Sequence, residues 1–357
     1  MNKYLVVIFL FCLMGCSTIS KVDENSLSLK AKLSAIINKQ KDTKPGLSVL
    51  VKHKNKTLIK TSKGLANQRI VITENTAFRI GSISKTFTAL SIMTLVESGQ
   101  LSLSDNVKQH LASLPNNWAD INIKDLLSHK VSLSKDFFAF NNLHLANNAT
   151  NSTLLSYLQQ DDLQVSKLER DKAVYCNTCY VLLAEIVKHV SDQDYNEYMA
   201  QHVFMPANMK QSYIVDENTH LKPASALNYA KTTRFFNIEQ YTTGAMAQVS
   251  SINDLDNFIT ALKQEKIVSK SSLDNMTQVH SDLGDDGLYG LGWIIGWGNE
   301  PFFAHSGSQD GYQSELFLYP KYDLEVAILS NGGDETFQLQ SELMQAIISH
   351  FKALNEV

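Results

Sequence analysis

Apolar residues recur at every second position from Leu47 through Val49 to Val51, the period of a strand with a buried face. His53 to Lys56 is a polar turn and Thr57 to Thr61 returns, so Gly46 to Gly64 reads as a hairpin. Near the other end, Glu315 to Tyr319 and Leu324 to Leu329 are apolar strands on either side of Pro320-Lys321-Tyr322-Asp323. Tyr289 to Trp297, rich in glycine and aromatic residues, reads as one bulged strand before them. Between these ends the apolar spacing becomes helical, over Lys85 to Ser98, Asn177 to Val190, Tyr195 to Val203 and Asp254 to Lys263. Leu339 to Phe351 closes the chain as a helix. The expected fold is α+β, with N- and C-terminal strands in one antiparallel sheet flanked by helices and a mostly helical insertion over about 105–240.

The first sixteen residues differ in kind from the rest. Lys3 is their only charge, Leu5 to Met14 is an apolar run too short to span a bilayer, and Gly15 supplies a small residue at a cleavage position. Residues 1–15 are therefore expected to be an export signal. Leu13-Met14-Gly15-Cys16 resembles a bacterial lipobox, which implies cleavage before Cys16 and lipidation of its thiol. Residues 16–28 then form a polar, Ser-rich tether, and 29–357 the folded domain. The protein is expected to be anchored to the cell envelope by lipid and not to span it. Ser17 after Cys16 is similar to the outer-membrane sorting pattern of a Gram-negative lipoprotein.

With 357 residues, 44% hydrophobic and 19% charged, the chain can bury a sizeable core and is unlike disordered or low-complexity sequences. Lys and Arg total 32 against 36 Asp and Glu, without a clustered basic run, which argues against a nucleic-acid partner. Cys12 and Cys16 belong to the signal, leaving Cys176 and Cys179, too few for a disulfide scaffold. No second C-x-x-C and no H-E-x-x-H accompany them, so neither a metal nor an organic cofactor is expected. Either the two thiols close a small local disulfide or they are two small buried side chains at a helix start; the second reading is favoured.

Candidate chemistry centres on Phe78-Arg79-Ile80-Gly81-Ser82-Ile83-Ser84-Lys85, which enters a helix apolar almost all round and hence buried. Ser82 and Lys85, at i and i+3, share one helical face. Desolvation disfavours the charged form of a buried lysine, making a neutral amine available to take the serine proton. The helix N-terminus adds partial positive charge and a backbone N–H at Ser82 suited to an oxyanion. Two further segments stand out: Tyr175-Cys176-Asn177, a Y-x-N before a helix, and His305-Ser306-Gly307-Ser308, an H-x-G in a strand region.

S-x-x-K, Y-x-N and H-x-G, in this order and at these separations, resemble the β-lactamase-related serine hydrolases, which include class C β-lactamases, D-alanyl-D-alanine carboxypeptidases, D-aminopeptidases and certain esterases. The resemblance runs from about Pro45 to His350 and includes Gly64-Leu65-Ala66-Asn67, Ile123-Lys124-Asp125-Leu126-Leu127-Ser128-His129, Tyr289-Gly290-Leu291-Gly292-Trp293 and Ser330-Asn331-Gly332. It implies the β-lactamase/transpeptidase-like fold and an acyl-enzyme at Ser82. Lys85 would be the proton partner of Ser82, and Tyr175 a second general base or acid with its phenol pKa lowered by nearby positive charge. Asn177 would hold substrate through its amide, and His305 would stand where class C β-lactamases carry the lysine of K-T-G. The N–H groups of Ser82 and Ser308 would form the oxyanion hole, and Gly307 would let substrate approach the strand edge.

Departures from the pattern shape the expected substrate. A mostly neutral histidine at 305 attracts a substrate carboxylate less than a lysine does, which points to an ester or amide and to weak or no β-lactamase activity. A D-alanyl-D-alanine carboxypeptidase or penicillin-binding protein acting on peptidoglycan-derived peptides, and a sensor that does not turn over, are the alternatives. The usual H-T-S-G-L turn is His129-Lys130-Val131-Ser132-Leu133 here. Phe137, Phe138 and Phe140 after it read as insertion core, or else as an acyl pocket. If Cys176 bonds Cys179, oxidation could move Tyr175 or Asn177, which activity with and without a reductant tests.

Overall fold

The structure, a computed structural model, describes residues 29–138, 148–160, 163–227, 241–296 and 301–353. The export signal, Cys16 and the tether lie outside these residues, as do Phe140 and Trp297. The hairpin forms as β1 (Leu47–His53) and β2 (Lys56–Lys63), turning through Lys54 and Asn55, both at positive φ as a tight two-residue turn requires. The middle of the chain contributes β3 (Phe78–Arg79), β4 (Val131–Leu133), β5 (Val165–Lys167), β6 (Tyr213–Ile214) and β7 (Gln248–Ser250), which make two small sheets, β3-β7-β6 and β4-β5. Then come β8 (Ser281–Asp282), β9 (Leu288–Tyr289), β10 (Ile294–Ile295), β11 (Phe303–Gln309), β12 (Tyr312–Tyr319) and β13 (Leu324–Ser330). An eight-stranded antiparallel sheet runs β2-β1-β13-β12-β11-β10-β9-β8, so strands from both ends of the chain lie side by side, as expected.

Alternation along the central strands divides the core. Leu47, Val49, Val51, Val326 and Ile328 meet the terminal helices Leu29–Ile37 and Asp334–Ala353 through Leu33, Ile37, Leu339, Leu343 and Ile347. Leu50, Ala327 and Leu329 point the other way, into a larger core around the helix Ser84–Glu97. Ser84 to Met93 and Leu95 of that helix are all buried. Its hydroxyls brace it against its neighbours: Thr86 donates to the Gly292 carbonyl at 2.7 Å, Thr88 to the Gly244 carbonyl at 2.7 Å, and Thr94 shares a 2.8 Å hydrogen bond with the Tyr198 hydroxyl. Asn331, after β13, accepts from the Gly46 N–H and donates to the carbonyls of Leu65, Ala66 and Leu227, drawing distant sequence motifs to one point. Among the described residues, no helix is long and apolar enough to cross a membrane.

One expected element is corrected. Tyr289 to Trp297 is not one bulged strand: β9 ends at Tyr289, β10 covers Ile294–Ile295, and the chain turns between them. Gly292 adopts φ +81° there, and a Cβ on it would lie 2.5 Å from that of Ala89, so the turn is pressed against the serine helix. Phe137 is 1% exposed and packs edge-on against Phe138 and Tyr157, with centroids 5.2 Å apart in each pair, which supports the insertion-core reading for the described rings.

Candidate active site

Ser82 lies in a 3₁₀ turn, Gly81–Ile83, that leads directly into the helix carrying Lys85. Residues at i and i+3 eclipse one another in a 3₁₀ turn, which stacks the lysine over the serine. The turn is fixed by Ser84, whose hydroxyl donates to the Gly81 carbonyl at 2.7 Å and accepts from the Gln248 N–H at 3.2 Å. Ser82 is half-buried, whereas Lys85 is fully buried. The Lys85 Nζ is 3.1 Å from Ser82 Oγ, 2.7 Å from Asn177 Oδ1 and 2.9 Å from the Ala245 carbonyl. Burial alone holds its pKa well below the ordinary lysine value. A neutral amine has two N–H groups and one lone pair. With the N–H groups on Asn177 and Ala245, the lone pair faces the serine hydroxyl.

Tyr175 precedes the helix Asn177–Ser191, and its ring centroid is 4.8 Å from Lys85 Nζ. Among the described residues, its buried hydroxyl has no hydrogen-bond partner. Burial raises the phenol pKa above the ordinary value, and the neighbouring Ser82 hydroxyl offsets only part of that. This corrects the expectation of a lowered value: the neutral Lys85 supplies no positive charge to stabilise a phenolate. His305, on β11, is 1% exposed and uses both ring nitrogens. Nδ1 is 2.7 Å from the Ser306 carbonyl and must carry the proton, so Nε2 accepts from the Tyr289 hydroxyl at 3.1 Å. Burial is the main cause that lowers the His305 pKa, to about 3, so the ring is neutral.

β11 passes against the serine turn. An ideal Cβ on Gly81, at φ +51°, would fall 2.8 Å from the Ser308 nitrogen, which puts the backbones of Ser82 and Ser308 side by side. A Cβ on Gly307 would fall 2.0 Å from the Ile80 carbonyl oxygen and 2.5 Å from Ser314 Oγ. Gly307 is thus needed for the approach of β11 to the serine turn. The seven residues singled out in the sequence, Ser82, Lys85, Tyr175, Asn177, His305, Gly307 and Ser308, come together here.

Cys176 and Cys179 form a disulfide with Cα atoms 5.3 Å apart, overturning the favoured reading of two separate buried side chains. The physical reason is the helix start: Cys176 is the N-cap and Cys179 lies in the first turn, so the two side chains fold toward each other. Sequence reasoning also missed how His129 and Tyr289 contribute. The His129 ring is buried, 4.6 Å from Tyr175 and 4.4 Å from Tyr289 between centroids, and its Nδ1 accepts from the Cys176 N–H at 3.0 Å. The H-x-x-S turn and the Y-G-x-G segment were the available signals. The Ala245 carbonyl, a backbone atom, left none.

Comparison with known proteins bears on the family and the fold. Penicillin-binding protein 4* of Bacillus subtilis (strain 168) is 29% identical over 298 residues, covering 76% of this chain and 64% of that protein. Protein flp of Staphylococcus aureus (strain MW2) is 25% identical over 331 residues, 87% of this chain and 63% of that protein. The chain spans just under two thirds of the length of these curated relatives. Among solved structures, the octameric penicillin-binding protein homologue from Pyrococcus abyssi superposes with a TM-score of 0.71 at 26% identity, over 85% of this chain and 73% of that one. The D-amino acid amidase from Ochrobactrum anthropi SV3, complexed with L-phenylalanine, shares the fold with a TM-score of 0.74 at 20% identity, over 90% and 99%. The beta-lactamase family model matches residues 33–347, and with a fold and a serine–lysine centre of this kind the chain belongs to the beta-lactamase family.

Proposed function

We propose that this protein is a serine hydrolase that cleaves an ester or amide through an acyl-enzyme at Ser82. The observation that carries the reading is the buried Lys85 amine, held by Asn177 and Ala245 with its remaining valence toward the serine hydroxyl. Ser82 Oγ attacks the substrate carbonyl carbon and its proton passes to Lys85 Nζ. The backbone N–H groups of Ser82 and Ser308 hold the oxyanion. The tetrahedral species collapses as Tyr175 protonates the leaving group, and the Lys85 ammonium returns a proton to the phenol. Water then attacks the acyl group, its proton following the same pair of residues in reverse, and Ser82 is restored. Asn177 accepts from Lys85 through Oδ1, so its amide nitrogen is the end that would face substrate.

The neutral, doubly bonded His305 supports a substrate without an obligatory anionic end, and so favours ester or amide hydrolysis over efficient β-lactam turnover. A fluorophosphonate is expected to add one adduct per chain, absent in Ser82→Ala, with sustained turnover of p-nitrophenyl esters and little stable penicillin adduct. A long-lived penicillin adduct with poor ester turnover would instead favour the penicillin-binding alternative suggested by the relatives. No adduct from either probe would sink the nucleophile assignment.

The reading extends to an envelope protein anchored through a lipidated Cys16, supported by Leu13-Met14-Gly15-Cys16. The protein is expected to fractionate with membranes, with a mature mass that begins at Cys16 and includes acyl chains. A soluble mature form without acyl mass would remove the anchor.

A further inference from the structure

The short segment from Val174 to Asn177 carries two of the groups closest to Lys85, and it is held at several points. The Val174 N–H donates to the His129 carbonyl at 3.0 Å, and the Cys176 N–H donates to His129 Nδ1, also at 3.0 Å. Cys176 is cross-linked to Cys179, whose N–H lies 3.0 Å from Cys176 Sγ. Tyr175 and Asn177 flank this doubly held residue. Asn177 Oδ1 reaches Lys85 Nζ at 2.7 Å, and the Tyr175 ring centroid lies 4.8 Å from it.

We propose that Cys176 is a positioning residue: its disulfide to Cys179, with the His129 acceptor, fixes the backbone between Tyr175 and Asn177, and the oxidised pair is the form competent for acylation. The proposal rests on the acyl-enzyme reading above.

The closed loop has only two residues between the cysteines, and a cross-link restricts the unfolded chain least when its loop is short. Its main effect is therefore local: it locks the N-cap and the first turn of the helix. Sulfur is a weak acceptor, so without the covalent link only the Cys179 N–H contact to Cys176 Sγ would hold that turn. The pair lies inside the protein, Cys176 being 5% exposed and Cys179 fully buried. Displacement of a catalytic group by about 1 Å costs on the order of 100-fold in rate.

The test uses the full chain. Acylation of Ser82 by a fluorophosphonate is timed for wild type and for Cys176→Ala/Cys179→Ala across pH, alongside thermal unfolding. The expected result is a roughly 10- to 100-fold slower acylation of the folded double variant. Its rising pH limb should also move to higher pH, because a loosened Asn177 admits water to Lys85 and relieves the desolvation that lowers its pKa. A brace serving stability alone would lower the unfolding temperature and leave both quantities unchanged.

If the double variant does not fold, wild type equilibrated with graded ratios of a dithiol and its disulfide carries the test. Reduction breaks one S–S bond and forms two S–H groups, and the dithiol gives up two electrons and two protons to become a disulfide. Acylation should fall in step with the reduced fraction, counted by mass after alkylation. A rate within about threefold of wild type in the reduced protein or the folded double variant overturns the proposal. Absence of Ser82 labelling in oxidised wild type overturns the acyl-enzyme reading itself, and shows before any cysteine is altered.

Discussion

Lys85→Met is expected to slow acylation of Ser82 by about 10³-fold or more while the protein still folds. Methionine matches the length of the buried stem but offers no lone pair to the serine proton. The stability balance is nearly neutral. The Ala245 carbonyl and Asn177 Oδ1 lose their shared donor, at about 1–3 kcal/mol for each group left unsatisfied. Removing a buried amine returns an amount of similar size. The pH dependence separates the two proteins further. Lys85 acts as a base only when neutral, so the wild-type rate rises with pH as far as its depressed pKa and is level above it.

Below the unfolded-state value of about 10.4, the unfolded chain carries a proton at Lys85 that the folded chain lacks. Wild-type stability therefore rises with pH between the folded and unfolded values, by about 1.4 kcal/mol per pH unit from this group. Urea unfolding at several alkaline pH values should show that slope in wild type and lose it in Lys85→Met. Equal slopes, or an unchanged acylation rate, would mean that the lysine is charged in the folded protein and is not the base.

Tyr175→Phe is expected to move activity and stability in opposite directions. Among the described residues the buried phenol has no hydrogen-bond partner, an arrangement worth about 1–3 kcal/mol of destabilisation, so the phenylalanine variant should unfold at a higher temperature. The same change removes the proton donor proposed for the leaving group, with an expected loss of about 10²-fold or more in turnover. Because burial keeps the tyrosine protonated, wild type should show no gain in rate near pH 10 from phenolate formation. Calorimetry with pre-steady-state ester hydrolysis reads both effects. An unaltered rate would remove Tyr175 from the chemistry, and a lower unfolding temperature would show that its hydroxyl bonds Ser82 in solution.

What the sequence disclosed follows the range over which each signal acts. The hairpin and the helix after Ser82 rest on local apolar spacing, and β1, β2 and Ser84–Glu97 match it closely. The S-x-x-K spacing put Ser82 and Lys85 on one face, and their 3.1 Å contact agrees. The errors arose where a distant element decides the outcome. Tyr289 to Trp297 resembles a strand until Gly292 meets Ala89 of another helix. The resemblance implies a Tyr175 pKa lowered by nearby positive charge, yet the burial that makes Lys85 a base leaves no charge there to lower it. C-x-x-C says nothing of where the helix begins, and the N-cap at Cys176 is what turns the two sulfurs together.

The hydroxyl struts of the serine helix have a consequence for how this protein can diversify. Thr86, Thr88 and Thr94 tie that helix to three separate neighbours, and almost none of its surface is left to solvent. In a protein of uneven local stability, such an element opens only with the whole molecule, whereas peripheral loops open independently. Chemistry and selectivity are thereby decoupled: loops around the site are free to change which molecules bind, while the spacing between nucleophile and base passes unaltered from one variant to the next.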